Sequence, residues 1–399
     1  MDQAEVGVNV DENDNNIEDE LNELNERCQK MRENDPDISQ IEYFYEVVSD
    51  ETLQRICDSL QDNTVVDWIL MEGCSVTSKG CCALGEMLEK NHRLRHIVLN
   101  TNRNMGLEGI TALMEGLAKN NKLETIMLED VDFHGAQGSL TAVANALERN
   151  IILKEISMGR NNLGGDEFKD FAFSLRNNKS LLSIELGQCQ LGDTDVEILF
   201  ESIEKHPSLV RVDLTGNLLT SAISESLARL LRRNTILQDI AITTNALGPV
   251  GAENIAVALE TNQTLKKLIM GRNEIGEAGA KAFGRSLPKM RGLRELFLAS
   301  NNLAAEALEA ITVGMKDNTS LHSIRLGNGD GGTPIPPDIM KKVKFYERRN
   351  KLGWSTLNQS RTTLPSGLWA EILGKLGSEE DPSMLHFFLT EAAGNIFEV

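Results

Sequence analysis

The chain has 399 residues, 41% of them apolar and 5% aromatic, and a formal net charge of −20. It contains no run of about 18 apolar residues, and its first residues lack the basic and apolar regions of a secretory signal. The sequence therefore argues against a membrane-spanning or secreted protein. Six cysteines without a disulfide framework favour a reducing compartment, and we predict a cytoplasmic or nuclear protein.

Acidic residues are concentrated at the start of the chain. Residues 1–60 contain 18 Asp and Glu against four basic residues, a net charge of −14. Residues 1–36 combine this charge with few apolar side chains, which predicts an acidic disordered tail. Over residues 37–65, apolar residues from Ile41 to Leu60 follow helical steps. This spacing predicts an N-terminal helical cap that covers the first coil of the segment that follows.

From residue 66 to residue 328 one pattern returns ten times, Leu-x-x-Leu-x-Leu-x-x-Asn/Cys-x-Leu. Successive copies are separated by 28 to 30 residues. The copies open at Val66, Leu94, Leu123, Leu153, Leu181, Leu209, Leu237, Leu265, Leu293 and Leu321. Self-similarity at this period predicts a solenoid of ten repeats, in which each repeat packs on its neighbours.

Each copy has a strand half and a helix half. Leu268 and Met270 alternate with outward residues, which is typical of a short strand with one buried face. Asn273 follows, where its amide can bond backbone groups that a turn leaves unpaired. Ala280 and Phe283 then begin an apolar stripe with helical spacing, which predicts a helix packed on the strand layer.

Strand, turn and helix every 28 residues resembles the ribonuclease-inhibitor type of leucine-rich repeat. The resemblance covers about two thirds of the chain. It implies an α/β solenoid of horseshoe shape, with parallel strands on the concave face and helices on the convex face. Proteins of this type include ribonuclease inhibitor, Ran GTPase-activating protein, tropomodulin-like actin cappers and the sensor domains of NOD-like receptors. The resemblance is therefore specific for the fold and names no partner.

The repeat pattern stops at a segment rich in Gly and Pro. We interpret residues 329–337 as a linker and residues 338–399, with their helical stretches, as a C-terminal helical cap. Residues 338–351 carry six Lys and Arg against two acids, which we interpret as the solvated face of a capping helix.

Candidate binding residues follow from strand alternation, which places the third and fifth residue of each motif on the concave face. The first repeats place mainly apolar residues there, and the next repeats place mainly acidic ones. The predicted partner-binding residues are Trp68, Leu70, His96, Val98, Met127, Glu155, Glu185, Arg211, Asp213 and Asp239. We predict a protein partner that places a basic segment on the acids and an apolar anchor near Trp68 and Val98. The alternative is that the N-terminal cap covers Trp68 and Leu70.

Catalytic motifs are absent from the sequence. There is no phosphate-binding loop, nucleophile elbow, zinc-protease motif or dinucleotide fingerprint, so we predict a non-enzymatic protein with no cofactor and no metal. The net acidic charge argues against nucleic acid, and we predict a monomeric interaction scaffold. Two alternatives stay open. One is a GTPase-regulating protein that uses Arg103, with Arg160 and Arg272 as further candidates. The other is an actin-end regulator of tropomodulin type, although ten repeats exceed the tropomodulin array.

Overall fold

The computed structural model describes residues 11–327 and 334–351. The chain divides into two compact units, Met1–Leu218 and Leu219–Val399. In both units short strands alternate with helices along the chain.

The first unit contains a parallel sheet whose strands follow one another in chain order. Its strands are β1 (Gln40–Phe44), β2 (Trp68–Glu72), β3 (His96–Val98), β4 (Thr125–Met127), β5 (Glu155–Ser157), β6 (Ser183–Glu185) and β7 (Arg211–Asp213). Its helices are α1 (Asp11–Arg32), α2 (Asp50–Leu60), α3 (Ser78–Lys90), α4 (Gly106–Lys119), α5 (Ser139–Arg149), α6 (Asp166–Ser174) and α7 (Asp193–Ile203). Equivalent motif positions lie side by side, as in the pairing of Trp68 with His96.

The second unit repeats this arrangement. Its strands are β8 (Asp239–Ala241), β9 (Lys267–Ile269), β10 (Glu295–Phe297) and β11 (Ser323–Arg325), again parallel and in chain order. Its helices are α8 (Ser224–Arg233), α9 (Gly248–Leu259), α10 (Gly276–Ser286), α11 (Ala305–Asp317) and α12 (Pro337–Lys351), with 3-10 turns at Ser221–Ile223 and Leu287–Lys289.

The core forms between the strand layer and the helix layer of each unit. In the copy that opens at Leu265, the side chains of Leu268, Met270 and Phe283 are fully buried, as the two periods predict. Strands of three residues suffice because each contributes one central buried residue, such as Ile97 or Leu268. The predicted α/β leucine-rich-repeat fold is confirmed.

Buried asparagines at the turn after six of the described strands join successive coils. We call them the turn asparagines: Asn102, Asn161, Asn217, Asn245, Asn273 and Asn301. The Nδ2 of Asn161 donates to the carbonyl of Leu128 in the preceding coil at 2.8 Å, and its Oδ1 accepts from the backbone N–H of Val131 at 3.0 Å. Asn161 thereby satisfies two groups that the turn before it leaves unpaired.

A second row of buried asparagines lies at the ends of the helices. We call them the helix-end asparagines: Asn63, Asn91, Asn120, Asn150, Asn178, Asn234, Asn262 and Asn318. In Asn91, Oδ1 accepts the backbone N–H groups of Arg93 and Leu94, and Nδ2 donates to the carbonyl of Leu60. His206 takes this position in one coil.

The structure corrects the predicted disordered tail 1–36. Residues 11–32 form helix α1, and its Cys28 and Met31, three residues apart, are buried. The Nδ2 of Asn63 donates to the carbonyl of Met31 at 2.6 Å and ties the end of α1 to the repeat that follows. The buried side chains described for α1 therefore lie in the last turns of a helix rich in Asp, Glu and Asn. Residues 1–10 lie outside the described part.

The predicted helical cap 37–65 is also corrected. Its first part is strand β1, in which Ile41 is fully buried beside Ile69 of β2. Its second part is helix α2, whose first turn is capped by the Ser49 side chain accepting from the backbone N–H of Thr52 at 3.1 Å. The segment is thus a further strand and helix of the same kind, and α1 is the helix that precedes it.

At the other end, helix α12 closes the second unit. The guanidinium of Arg349 donates to the carbonyls of Met315, Lys316 and Asn318 at the end of α11. The Nδ2 of the buried Asn350 donates to the carbonyl of Leu321 at 2.9 Å. Residues 328–333 and 352–399, which include most of the predicted linker 329–337 and the rest of the predicted cap 338–399, lie outside the described part.

Candidate functional site

The first part of the candidate site is an apolar surface on β2, β3 and β4. The rings of Trp68 and His96 lie 4.7 Å apart at 35°. Leu70 and Met127 are half-buried on the same face. Strand β1 places Gln40 beside Trp68 and Glu42 beside Leu70, and both apolar side chains remain partly exposed. The N-terminal segment therefore does not cover them completely.

Val98 does not fit its predicted role as an exposed contact residue for a partner. It lies between Leu70 on β2 and Met127 on β4, in register with both. These longer side chains flank the smaller valine, which is only 5% exposed. The apolar surface is therefore formed by Trp68, His96, Leu70 and Met127, with Val98 beneath it.

The second part is an acidic cleft at the ends of β4 to β7, with a volume of about 310 Å³. It is lined by Glu129, Ser157, Gly159, Arg160, Glu185, Gly187, Gln188, Asp213 and Thr215. Two glycines make room for it, since Gly159 and Gly187 lack the side chain that would fill the cleft. A Cβ atom on Gly159 would already lie 3.2 Å from the carbonyl oxygen of Gly187.

The carboxylates of the cleft have different environments. Glu129 is paired, because its Oε1 accepts from the Ser157 hydroxyl at 2.9 Å and its Oε2 lies 3.1 Å from Arg160. Asp213 accepts the backbone N–H of Thr215 at 2.7 Å. Burial raises the pKa of Glu185, and the nearby charges of Asp213 and Glu129 raise it further, against the opposing effect of Arg211. The cleft thus holds three like charges that one arginine does not balance.

Glu155 and Arg211 lie at the opposite ends of their strands from Ser157 and Asp213. Both are exposed, and Ser183 lies between them in register. Charged groups of both signs therefore lie next to the acidic cleft, at the end of the sheet where the strands begin.

Asp239, the remaining predicted residue, belongs to the second unit. There it begins β8 and lies beside Lys267 of β9 in register. Lys267 also lies 3.9 Å from Glu295 and 5.6 Å from the ring centre of Phe297. The strand face of the second unit therefore carries both charges and an aromatic ring, and its acids are not concentrated as in the first unit.

Sequence reasoning missed Glu129 and Arg160 as members of the cleft. For the partner-binding face it considered the third and fifth motif residues only, whereas these two lie in the turns that follow β4 and β5. A usable signal was present, because Gly159 and Gly187 occupy the position that corresponds to Glu129 in neighbouring copies. Glycine at this position in two successive copies, next to a copy with glutamate, predicts an open cleft lined by a carboxylate.

Comparison with known proteins is consistent with the repeated strand, turn and helix. A family model described as Leucine Rich repeat matches residues 261–284, which contain strand β9 and the turn asparagine Asn273. The chain has the leucine-rich-repeat fold. No curated protein sequence matches it.

Solved structures similar to this chain share little sequence with it. LegL7 from Legionella pneumophila is 14% identical, with a TM-score of 0.49, over 76% of this chain and 98% of that one. A complex of Rad7 and Elc1 from yeast is matched at 13% identity and a TM-score of 0.42, over 86% of this chain and 90% of the other. The actin-binding site 2 of leiomodin-1 is 17% identical, with a TM-score of 0.29, over 46% of this chain and 90% of that one.

The arginines considered for GTPase regulation differ in their surroundings. Arg103 forms a two-point contact with Asp130, with Nε and one terminal nitrogen 2.9 and 3.0 Å from the carboxylate oxygens. Arg160 is paired with Glu129. Arg272, in the second unit, is exposed at the turn after β9. Two of the three guanidinium groups are therefore already held by carboxylates of the leucine-rich-repeat protein itself.

Two further observations concern residues 11–327 and 334–351. In these ranges no group of three or more His, Cys, Asp or Glu side chains is arranged to hold a metal ion. None of the helices in the same ranges is long and apolar enough to cross a bilayer.

Proposed function

We propose that this leucine-rich-repeat protein is a non-enzymatic interaction scaffold that acts as a monomer in the cytoplasm or nucleus. Its partner is a protein that places a basic side chain in the acidic cleft of Glu129, Glu185 and Asp213. The same partner places an apolar side chain on the surface formed by Trp68, Leu70 and Met127. The strand face of the first unit is the binding surface.

The observation that carries this proposal is the crowding of carboxylates around an open cleft. Glu185 is half-buried and lies close enough to Asp213 and Glu129 for their charges to raise its pKa. Such an arrangement costs stability in the free protein, because like charges repel more strongly where water is partly excluded. A lysine or arginine side chain from a partner would remove the repulsion and gain charge-assisted hydrogen bonds.

The spacing of the two surfaces suggests how the partner lies. Met127 is on β4 and Glu185 is on β6, two strands apart in a continuous parallel sheet. Neighbouring strands are about 4.8 Å apart, so these positions are separated by about 10 Å across the strands. An α-helix advances about 10 Å in about seven residues. A partner helix crossing the strands, with an apolar and a basic residue about two turns apart, would reach both surfaces.

The proposal is tested with a charge reversal at the cleft and a matched reversal elsewhere. Glu185→Lys with Asp213→Lys changes the cleft, whereas Glu115→Lys with Glu148→Lys changes the net charge equally on the exposed sides of α4 and α5. Proteins captured from cells by the natural chain are identified by mass spectrometry and compared between the two variants. A specific partner should be retained by the helix variant and lost by the cleft variant. A partner that both variants retain would place binding away from the cleft.

Two other functions are distinguished by direct assays. A GTPase-regulating protein would accelerate GTP hydrolysis by its partner, and the exposed Arg272 would be the first residue to replace by alanine. An actin-end regulator would slow the elongation of actin filaments in a polymerisation assay. The ion pairs of Arg103 and Arg160 offer the first of these functions no support, and we retain the scaffold as the best-supported function.

A further inference from the structure

The first strand of the first unit, β1, has one side without a neighbour among the described residues. It pairs only with β2, and it is the first strand of the sheet in residues 11–327. The backbone N–H of Asp67 donates to Ser39, and the backbone N–H of Tyr45 donates to Glu72. Residues 39 and 45 therefore face β2. Because successive residues of a strand point their backbone groups to alternate sides, Gln40, Glu42 and Phe44 point theirs away from β2.

The last strand of the second unit shows how such an edge is normally covered. In β11 the backbone N–H of Ser323 donates to Arg294 of the preceding coil, so Ile324 faces the outer side. The carboxylate of Glu347 in α12 accepts the N–H of Ile324 at 2.6 Å. Helix α12 thus satisfies the outer edge of its strand. Helix α1 packs beside α2, where Arg55 bonds Asn25, and its Arg27 reaches the hydroxyl of Tyr43. Among the described residues, α1 provides no side chain that accepts a backbone N–H from the outer side of β1.

Side chains around this open edge form an apolar surface with acidic neighbours. Phe44 and Val47 are 49% and 83% exposed, which is high for large apolar residues so close in the chain. Tyr45 is 70% exposed, and its side chain lies towards β2, where its hydroxyl donates to Glu72 at 2.9 Å. Glu42 is exposed on the same strand, and Glu46 is exposed between Tyr45 and Val47. An unpaired strand edge beside exposed apolar residues is a template for adding another strand.

We propose that the outer edge of β1 binds an extended segment of a partner protein, which adds to the sheet as a further strand. The segment carries a basic residue beside Glu42 and an apolar residue beside Phe44, and these two positions are two residues apart on one face of the strand. The negative charge of Glu42 and Glu46 selects the basic residue. This site is separate from the acidic cleft and does not depend on the proposed function.

The test uses short dye-labelled peptides and fluorescence anisotropy with the full chain. The probe contains Thr-Lys-Val-Leu-Thr, and the reverse order Thr-Leu-Val-Lys-Thr reports whether the added strand is antiparallel. Each peptide is also made in two N-methylated phases. One phase has N-methyl groups on the backbone amides of the odd-numbered residues, and the other has them on those of the even-numbered residues. One phase blocks the hydrogen bonds to β1 and the other does not. We expect the blocking phase alone to weaken binding, by at least about tenfold.

Variants of the protein provide the second arm. Glu42→Pro removes a backbone N–H that faces away from β2, so peptide binding should be lost. Because proline is tolerated at strand edges, the variant should still fold. Glu42→Gln keeps the N–H and should weaken the lysine peptide by only about fivefold. The cleft variant with Glu185→Lys and Asp213→Lys should bind the peptide as the natural chain does. Thermal unfolding of each variant verifies that it is folded.

Three outcomes would overturn the proposal. The first is equal binding of both N-methylated phases, which would mean that the backbone of the peptide does not pair. The second is unchanged binding to a folded Glu42→Pro variant, or no binding of any probe to the natural chain at about 1 mM, weaker than a usable contact. The third is self-association of the natural chain in sedimentation that Glu42→Pro abolishes, which would identify the occupant as a second copy.

Discussion

The Nδ1 atom of His206 accepts the backbone N–H of Leu209 at 3.0 Å, as the side-chain oxygen of an asparagine does in the neighbouring coils. It also accepts the N–H of Ser208 at 3.3 Å. An Nδ1 that accepts two donors cannot itself carry a proton, so the neutral ring protonated on Nε2 is the form that fits. His206 is only 3% exposed, and burial lowers its pKa to about 4.

His206 should therefore make the stability of the first unit depend on pH. The pKa of histidine in the unfolded chain is about 6.5, so between pH 6.5 and pH 4 the unfolded state binds a proton that the folded state rejects. This contribution is fully present above pH 6.5, is lost as the pH falls towards 4, and amounts to about 3 kcal/mol. Urea unfolding at pH 7 and pH 4.5 should show a smaller loss for His206→Asn than for the natural chain. Identical losses would contradict this role.

The turn asparagines predict effects of different size for two substitutions in adjacent copies. Asn161→Ala removes the donor to the carbonyl of Leu128 and the acceptor for the N–H of Val131, both buried, and should destabilise the fold by about 2 to 3 kcal/mol. Cys189→Asn should be close to neutral, because Cys189 already holds the equivalent place with its Sγ 3.2 Å from the Met158 carbonyl. Chemical denaturation of both variants checks the pair. A large loss in Cys189→Asn would show that this position does not accommodate an amide.

Replacement of Arg349 should loosen the end of the second unit. Its buried guanidinium satisfies three carbonyl groups where α11 ends, and Arg349→Met would leave them without donors. The expected cost is about 3 kcal/mol, which is typical for buried polar groups left unsatisfied. Hydrogen exchange should report faster exchange in α11 and α12. Unchanged protection there would mean that packing, and not the guanidinium, holds α12 in place.

Glu185→Gln should make the stability of the first unit less dependent on pH. A carboxyl group whose pKa is raised in the folded state stabilises the fold as the pH falls and disfavours it once ionised. At pH 7 the neutral glutamine should therefore raise the free energy of unfolding, by less than about 1 kcal/mol because the site is only half-buried. The gain should vanish as the pH falls through the pKa of Glu185. A matched Glu115→Gln change on the outside of α4 should have no such effect.

The sequence predicted the regular part of the fold because that part is repeated. Leu268, Met270 and Phe283 have equivalents in most copies, so the repeat period is recognisable even where one copy has an atypical residue. Strand β1 was missed because Ile41, Tyr43 and their neighbours occur once, and their spacing also fits a helix. Helix α1 was missed because its buried face, with Cys28 and Met31, is narrow compared with its charged surface.

The candidate site was less predictable than the fold, for physical reasons that particular residues illustrate. Alternation assigned Val98 to the correct face, but its exposure depends on the lengths of Leu70 and Met127 in neighbouring strands. Glu129 belongs to the cleft because two glycines follow in the next copies, which no rule on a single motif reveals. Side-chain size across adjacent strands, and not the period itself, determines which residues a partner can touch.

The turn asparagines also give the array a direction. Asn102 bonds the Met71 carbonyl and the Val76 N–H, and Asn301 bonds the Met270 carbonyl and the Asn273 N–H, so each asparagine serves the coil before it. In a chain shortened from its C-terminus, the last coil would therefore have a carbonyl and an N–H that lack the asparagine of the next coil as a hydrogen-bond partner. Shortening from the N-terminus would remove the acceptors of backbone N–H groups, such as that of His96, and the partners of the first remaining asparagine. During synthesis on the ribosome, each coil that carries a turn asparagine would supply two hydrogen-bonding groups to the coil made before it.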